Sequence, residues 1–154
     1  MKRYLCLLAL TWLACVTVAM PAHAGEDHRA GDHAALVKSV TGAVKVTRQH
    51  ETFDAAGGTT LQVSDRVVTA PGASAAIVFR DGTLLTLGSG ADILVRDYVF
   101  APKENKFAFE LYLARGSAIY ESGKIGKLSP QSVKVETPRA TVGVRGTRFL
   151  IEAN

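Results

Sequence analysis

The segment 107–114 constrains the fold most, because its apolar residues alternate strictly with the residues between them. Phe107, Phe109, Leu111 and Leu113 share one side of this pattern. Successive side chains of a β-strand point to opposite faces, so a period of two predicts a strand with one buried face. We therefore expect this aromatic and aliphatic row to pack in the core of a β-sheet and not to serve as a ligand platform.

The remainder of the chain predicts further short strands and no substantial helix after the leader. Asp81-Gly82 separates two apolar runs, as in a tight β-hairpin whose turn residues both adopt positive φ. Residues 48–59 are predicted to form a polar loop. Residues 121–132 are predicted to form a connector that is mobile or contacts a partner, with one helical turn at Ile125. The predicted strands are 36–40, 43–47, 66–69, 73–79, 83–87, 91–95, 98–100 and 117–120.

These elements define an all-β fold class, with short strands in a solenoid-like or sandwich-like arrangement. Several strands begin after a glycine, but the glycines recur at irregular spacings and form no fixed repeat. The spacing therefore leaves both arrangements open.

The segment 1–24 has the organisation of a cleavable signal peptide. Lys2 and Arg3 precede the almost wholly apolar stretch 5–20, and Ala22 and Ala24 form a small-x-small cleavage site. The apolar stretch is shorter than the roughly 20 residues that span a bilayer. We predict cleavage after Ala24 and a periplasmic product, with the membrane involved only through the leader. Acylation of Cys15 is not expected, because the residues before it fit a lipoprotein signal poorly.

Cleavage would leave the chain 25–154, which we divide into a flexible polar segment at 25–34 and one all-β domain at 35–154. Both cysteines, Cys6 and Cys15, belong to the leader. The remaining chain could form no disulfide, thiolate metal site or cysteine nucleophile. Its formal charge would fall from +4 to +2, because two basic residues leave with the leader. That charge is too small to indicate a nucleic-acid partner.

Asp27-His28 and Asp32-His33 are the candidate metal ligands of the polar segment. Both residue types bind divalent ions. Their five-residue spacing presents no rigid shared face, and cleavage after Ala24 would make His28 the fourth residue, where a copper-type amino-terminal site needs the third. We expect a solvated tail, with no bound metal and no cofactor.

Candidate catalytic residues are few, and we predict that the protein is not an enzyme. A Ser-His-Asp triad would need a histidine in the domain, where His50 lies in a predicted loop. Ser89 lacks the Gly-x-Ser-x-Gly sequence of a nucleophile elbow. Four aspartates could come together in space to form a carboxylate pair. A turn role for Asp81, and strand-end positions beside Arg66 and Arg96 for the others, explain these residues more simply. The aspartates in question are Asp65, Asp81, Asp92 and Asp97.

The C-terminal segment 133–151 combines β-branched residues with short breaks, as in a strand–turn–strand corner. Gly146 can adopt positive φ or allow another backbone to approach closely. We predict that Arg145 ties the final strand to an earlier one through charge-assisted hydrogen bonds. The residues assigned to this corner are Thr137, Pro138, Gly143, Arg145, Gly146, Thr147 and Phe149.

At these residues the chain resembles the FecR-type periplasmic domain family. The resemblance rests on Thr-Pro-x-Ala-Thr-Val-Gly-Val-Arg-Gly-Thr-x-Phe at 137–149 and extends over about residues 36 to 152. It includes the stretches 65–69, 71–74, 81–85 and 116–118. The resemblance implies an exported all-β domain that senses or binds and is not an enzyme. It also favours the solenoid-like arrangement.

The resemblance further implies a protein partner in the cell envelope. In the family's best-known setting, the domain relays occupancy of an outer-membrane receptor to a cytoplasmic sigma factor through a cytoplasmic region and a membrane span. Here a leader stands in that place, so we expect a free-standing exported domain that binds an envelope protein.

Two other functions stay open, together with the oligomeric state. The alternative is an envelope component that binds glycan or another exported polymer, with Tyr98, Tyr112 or Tyr120 exposed for stacking. A secreted hydrolase is the remote alternative. Unpaired edge strands could dimerise or receive a partner strand.

Overall fold

The structure, a computed structural model, describes residues 33–144 and 148–154. About 60% of it is strand, which confirms the all-β prediction. The strands are β1 Ala35–Thr41, β2 Val44–Arg48, β3 Glu51–Asp54, β4 Thr60–Leu61, β5 Arg66–Thr69, β6 Ser74–Phe79, β7 Leu84–Leu87, β8 Asp92–Ala101, β9 Lys106–Glu121, β10 Val133–Glu136, β11 Thr141–Gly143 and β12 Arg148–Ala153. One α-helix, α1 Lys124–Leu128, and short 3₁₀ turns at Pro102–Glu104 and Pro130–Ser132 complete the described elements.

Strand β9 organises the sheet, because it pairs with four other strands. Its N-terminal half pairs with β8 and β10, and its C-terminal half pairs with β7 and β12. The sequence predicts two strands here, separated at Gly116. The chain instead runs through Gly116 as one strand, with φ of 82° at this residue. A Cβ atom there would lie 2.5 Å from Ala91 Cα, so only glycine fits this close approach.

The bend at Gly116 divides the curled sheet into two halves, which we call sheet A and sheet B. Sheet A contains β4, β1, β6, β7, the C-terminal half of β9, and β12. Sheet B contains β3, β2, β5, β8, the N-terminal half of β9, β10 and β11. The predicted strands on either side of Gly42 are β1 and β2, and they belong to different sheets.

The core lies between the two sheets. The ring of Phe79 in sheet A is 4.8 Å from that of Phe109 and 5.3 Å from that of Tyr98, both in sheet B. Leu111 and Leu113 are buried with Phe109, as the alternation predicts. The two halves belong to one curled sheet, so the arrangement is a half-barrel that encloses the core.

Two strands differ from the sequence-based prediction for local reasons. Strand β3 lies inside the predicted polar loop, and all four of its residues are exposed, so it carries no apolar pattern. Strand β8 replaces two predicted strands and contains a bulge between Val95 and Asp97. The bulge shifts the alternation by one residue, which is why the sequence pattern breaks there.

The predictions for residues 1–32 lie outside the described residues. These are the signal peptide, its cleavage at Ala22 and Ala24, Cys15, and most of the polar segment. They stay predictions, as does the division into domains.

Candidate interaction surface

The turn between β10 and β11 is built by the Thr-Pro-x-Ala part of the signature segment. The Thr137 N–H donates to the Ala140 carbonyl at 2.8 Å, and Thr137 Oγ1 accepts from the Ala140 N–H at 3.1 Å. Pro138 has no N–H to donate, and its fixed φ suits the position that follows Thr137. Thr137 and Pro138 therefore form a hairpin turn.

Of the other residues assigned to the corner, the structure describes Gly143 and Phe149, on either side of the segment 145–147. Gly143 ends β11, where an added Cβ would meet nothing within 4 Å. Phe149 lies on β12, and its ring centroid is 5.0 Å from that of Tyr120. Outside the described residues lie Arg145, Gly146 and Thr147. Their predicted roles at the corner stay predictions.

Asp81 and Gly82 lie in the turn between β6 and β7. Gly82 has φ of 86°, whereas Asp81 keeps a negative φ. The Gly82 N–H donates to the Phe79 carbonyl, and the Phe79 N–H donates to the Thr83 carbonyl, each at 2.9 Å. The expectation that both turn residues have positive φ is therefore wrong. The turn has three loop residues, a type I turn followed by a left-handed glycine.

The buried carboxylate of Asp81 fastens the connector to the sheet. It accepts hydrogen bonds from the Thr83 hydroxyl at 2.7 Å, the Ile125 N–H at 3.1 Å and the Tyr98 hydroxyl at 3.2 Å. Burial, and then the negative charge of Asp81, raise the pKa of Tyr98. Ile125, at the predicted helical turn, is completely buried. The connector is thus docked through α1, whose exposed residues are Lys124, Lys127 and the apolar Leu128.

Two other buried aspartates are paired with arginines. Asp65 accepts from Arg48 Nη2 at 2.7 Å and from Arg48 Nε at 2.9 Å. Asp92 accepts from Arg66 Nε at 2.7 Å. Arg66 follows Asp65 in sequence but pairs with Asp92 of the neighbouring strand β8. These carboxylates hold neighbouring strands together.

The remaining candidate polar residues are dispersed. Asp97 is exposed on β8, and His50 is exposed in the turn between β2 and β3. Ser89 Oγ accepts a hydrogen bond from the Gly72 N–H at 2.8 Å. In the part of the chain that the structure describes, no group of three or more His, Cys, Asp or Glu side chains could hold a metal ion.

The outer face of sheet B is charged. Arg96 forms an ion pair with Glu136 and lies 3.7 Å from Glu110 Oε1. Its guanidinium carbon is 4.3 Å from the centroid of the Tyr112 ring, a cation–π contact. Ion pairs of this kind link β8, β9 and β10 on a solvated surface.

Two of the three tyrosines expected to be exposed for glycan stacking are buried. Tyr98 is 8% exposed and Tyr120 is 0% exposed. Burial raises the pKa of Tyr120 as well. The expected exposure of these two residues is wrong, because both rings belong to the aromatic cluster of the core. Tyr112 is half-buried, and Arg96 covers its ring.

The outer face of sheet A carries a large aliphatic residue on each of five strands. Leu36, Val78 and Leu84 stand in register on β1, β6 and β7, and Ile119 stands opposite Leu150 on β9 and β12. Leu36 is 41% exposed and Leu150 is 61% exposed, and the other three residues are half-buried. We call these five residues the outer apolar face.

The opposite side of the same strands is also apolar, so sheet A has two apolar faces. Its inner side carries Val37, Ile77, Leu85, Tyr120 and Ile151, all buried in the core. An antiparallel sheet that faces water on one side usually alternates apolar-in and polar-out. A contiguous exposed apolar surface is instead typical of an interaction site. Strand alternation did not predict this surface, although apolar runs such as 75–79 are apolar on both faces of their strand.

Comparison with known proteins identifies a family. A family model described as FecR protein matches residues 65–154, which is 90 of the 154 residues. No curated protein and no solved structure matches the chain. Within the described residues, no helix has the length and apolar character needed to cross a membrane.

The family match covers the features described above from β5 onward. They include the Asp81 turn, both halves of β9 and the signature hairpin. FecR domains form a non-catalytic family of regulatory and sensing domains. The match confirms the resemblance inferred from the signature segment, and the chain belongs to the FecR protein family.

Proposed function

We propose that this protein is an exported, non-catalytic interaction and sensing module of FecR type that binds an envelope protein partner through the outer apolar face. The observation that carries the proposal is the exposure of aliphatic side chains on the solvent side of sheet A, from Leu36 at one end to Leu150 at the other. FecR domains are periplasmic in general, and the leader predicted at residues 1–24 agrees with export.

The contrast between the two sheets supports this choice of surface. Sheet B presents ion pairs to solvent, whereas the five residues of the outer apolar face are all aliphatic. The charged residues Glu121, Arg148 and Glu152 lie on the same side of sheet A, at the β9–β12 end. Burying aliphatic surface contributes about 25 cal/mol per Å² of area removed from water. A partner with a complementary apolar surface would therefore gain more from sheet A than from sheet B. Its binding should be only weakly sensitive to salt.

A pair of matched substitutions tests the surface. Leu36→Glu places a charge on the outer apolar face, and Val99→Glu places one on β8, where Val99 is 37% exposed against 41% for Leu36. The exported protein, cross-linked in the envelope, should lose its partner in Leu36→Glu and retain it in Val99→Glu. Both variants should keep the melting temperature of the original protein, since both sites are exposed.

The result that contradicts the proposal is equal capture of one partner by Leu36→Glu and by the original protein. Loss of capture in both variants would also contradict it, because the surface on sheet A would then have no special role. Leu36 lies on β1, far in the strand order from β12, so this test is separate from the one that follows.

Glycan binding receives less support than protein binding. Two of the three tyrosines on which it depends, Tyr98 and Tyr120, are buried. Stacking on a sugar ring needs an accessible aromatic face, and the Tyr112 ring is covered by Arg96.

A further inference from the structure

Strand β12 lies at an edge of sheet A. It pairs with β9 in antiparallel register, from Arg148 opposite Glu121 to Ala153 opposite Gly116. Among the described residues, β9 is the only strand that pairs with β12. An edge strand presents unpaired main-chain N–H and C=O groups, which another strand can bind.

The side chains of β12 are self-complementary about Leu150. Arg148, Leu150 and Glu152 are exposed and share the outer face. Phe149 and Ile151 point the other way, toward the core. The outer row thus has a positive residue, an apolar residue and a negative residue at equal spacing, with Leu150 at the centre.

One antiparallel register matches this row with a second copy of itself. Residues directly opposite in an antiparallel pair have their side chains on the same face. With Leu150 opposite Leu150 of the partner subunit, each Arg148 stands opposite a Glu152, and each Phe149 stands opposite an Ile151. A shift of two residues in one direction places Leu150 opposite Glu152. The same shift in the other direction places Leu150 opposite Arg148, so the central register is the favourable one.

We propose that two copies of this protein form a two-fold symmetric dimer by antiparallel pairing of their β12 strands, centred on Leu150. The same surface is used on both copies, as a two-fold interface requires. The pairing covers Leu150, the most exposed large apolar side chain described. It also covers Phe149, which is half-buried at the edge.

The dimer has a consequence for the outer apolar face. In side-by-side pairing the two outer faces lie on the same side of the joined sheet. Ile119 and Leu150 of one copy would then continue into the same residues of the other. The two faces would lie side by side, with an Arg148–Glu152 pair on each side of the Leu150 contact, and the dimer would present them to a partner as a unit.

Charge reversal tests the register. Arg148→Glu and Glu152→Arg each place like charges opposite one another in a dimer of identical copies. Each variant alone should dimerise about tenfold more weakly than the original protein, since like charges opposite in a sheet repel. A mixture of the two variants should recover the dimer, because every reversed residue then faces an opposite charge. Analytical ultracentrifugation of the exported protein at micromolar concentration measures all three samples.

Recovery in the mixture also controls for folding. A variant that had simply lost its structure would not be rescued by a second destabilised variant. A monomeric original protein would overturn the proposal. Two single variants that both remain dimeric would overturn it as well, because the contact would then lie elsewhere.

A cysteine at the symmetry axis gives an independent measurement. Opposite residues of an antiparallel pair have Cα atoms about 4.5–5.5 Å apart, within the range that a disulfide spans. Leu150→Cys should therefore form a covalent dimer on mild oxidation. Leu36→Cys, on the same face but on β1, should not. The original protein, oxidised in parallel, controls for Cys6 and Cys15 of the leader.

Absence of the Leu150→Cys cross-link would overturn the proposal, as would equal cross-linking through Leu36→Cys. The test is distinguishable from that of partner binding. A monomeric protein that still captures its partner would leave the proposed function intact and remove only the dimer.

Discussion

The main-chain N–H of Ile125 donates a hydrogen bond to the Asp81 carboxylate at 3.1 Å, across 44 residues of sequence. Both residues are buried. The bond joins the β6–β7 turn to the connector that carries the chain from β9 to β10. Because β10 runs parallel to β9, the chain must cross over between them, and Asp81 holds that crossover in place.

Replacing Asp81 should therefore loosen the connector and destabilise the domain. In Asp81→Ala the buried donors on Thr83 and Ile125 lose their acceptor, which should lower the free energy of unfolding by about 2–4 kcal/mol. Urea denaturation measures the change, and amide hydrogen exchange should increase at 122–132. Asp97→Ala, at an exposed carboxylate on β8, should change stability by less than about 0.5 kcal/mol. Equal effects of the two substitutions would refute the assigned role of Asp81.

Two glycines with positive φ should respond differently to alanine. At Gly82 an added Cβ meets nothing within 4 Å, so Gly82→Ala should cost only the backbone strain, about 1–2 kcal/mol. At Gly116 the Cβ would also collide with Ala91 Cα at 2.5 Å, so Gly116→Ala should cost more, about 3 kcal/mol or above. Thermal melting ranks the two variants. The reverse order would mean that β9 does not pass Ala91 in this way.

The titration of Tyr98 should make the protein unstable in alkali. Its pKa is raised in the folded state by burial and then by Asp81, so the folded protein holds this proton more tightly than the unfolded chain. The stabilisation is fully present below the unfolded value of about 10 and is lost as the pH rises above it. Tyr98→Phe removes this contribution. Its free energy of unfolding should therefore fall less steeply between about pH 9 and pH 11 than that of the original protein. Parallel curves would contradict the prediction.

Export should remove the leader, segment 1–24. Intact-mass measurement on protein from the envelope fraction should give a chain that begins at Gly25. An Ala24→Gln variant should be cleaved poorly, because the site needs a small residue at that position. Retention of Met1, or a lipid mass on Cys15, would contradict the prediction.

Local patterns of the sequence were enough to predict the class of fold and many of its elements. The alternation at 107–114 indicates a strand, and its apolar residues line the core as expected. The apolar runs around Asp81-Gly82 become β6 and β7. These features were predictable because strand periodicity and turn chemistry depend on neighbouring residues. Family membership was predictable for a similar reason, since the signature segment is contiguous.

The tertiary structure decided which distant residues meet. Arg48 pairs with Asp65, and Arg66 pairs with Asp92, because antiparallel register brings β2, β5 and β8 side by side. Tyr98 is buried because a bulge turns it toward the core. Such contacts join residues far apart in the chain, and local patterns do not specify them.

The candidate interaction surface depends on the same long-range arrangement. Strands β1, β6, β7, β9 and β12 come from widely separated parts of the chain, and their outer residues form one apolar face only after the strands have paired. From the sequence alone, each residue of this face resembles an ordinary core residue of its strand. Which side of sheet A faces solvent was set by the packing of sheet A on sheet B, because that contact buries one of its two apolar faces and leaves the other exposed.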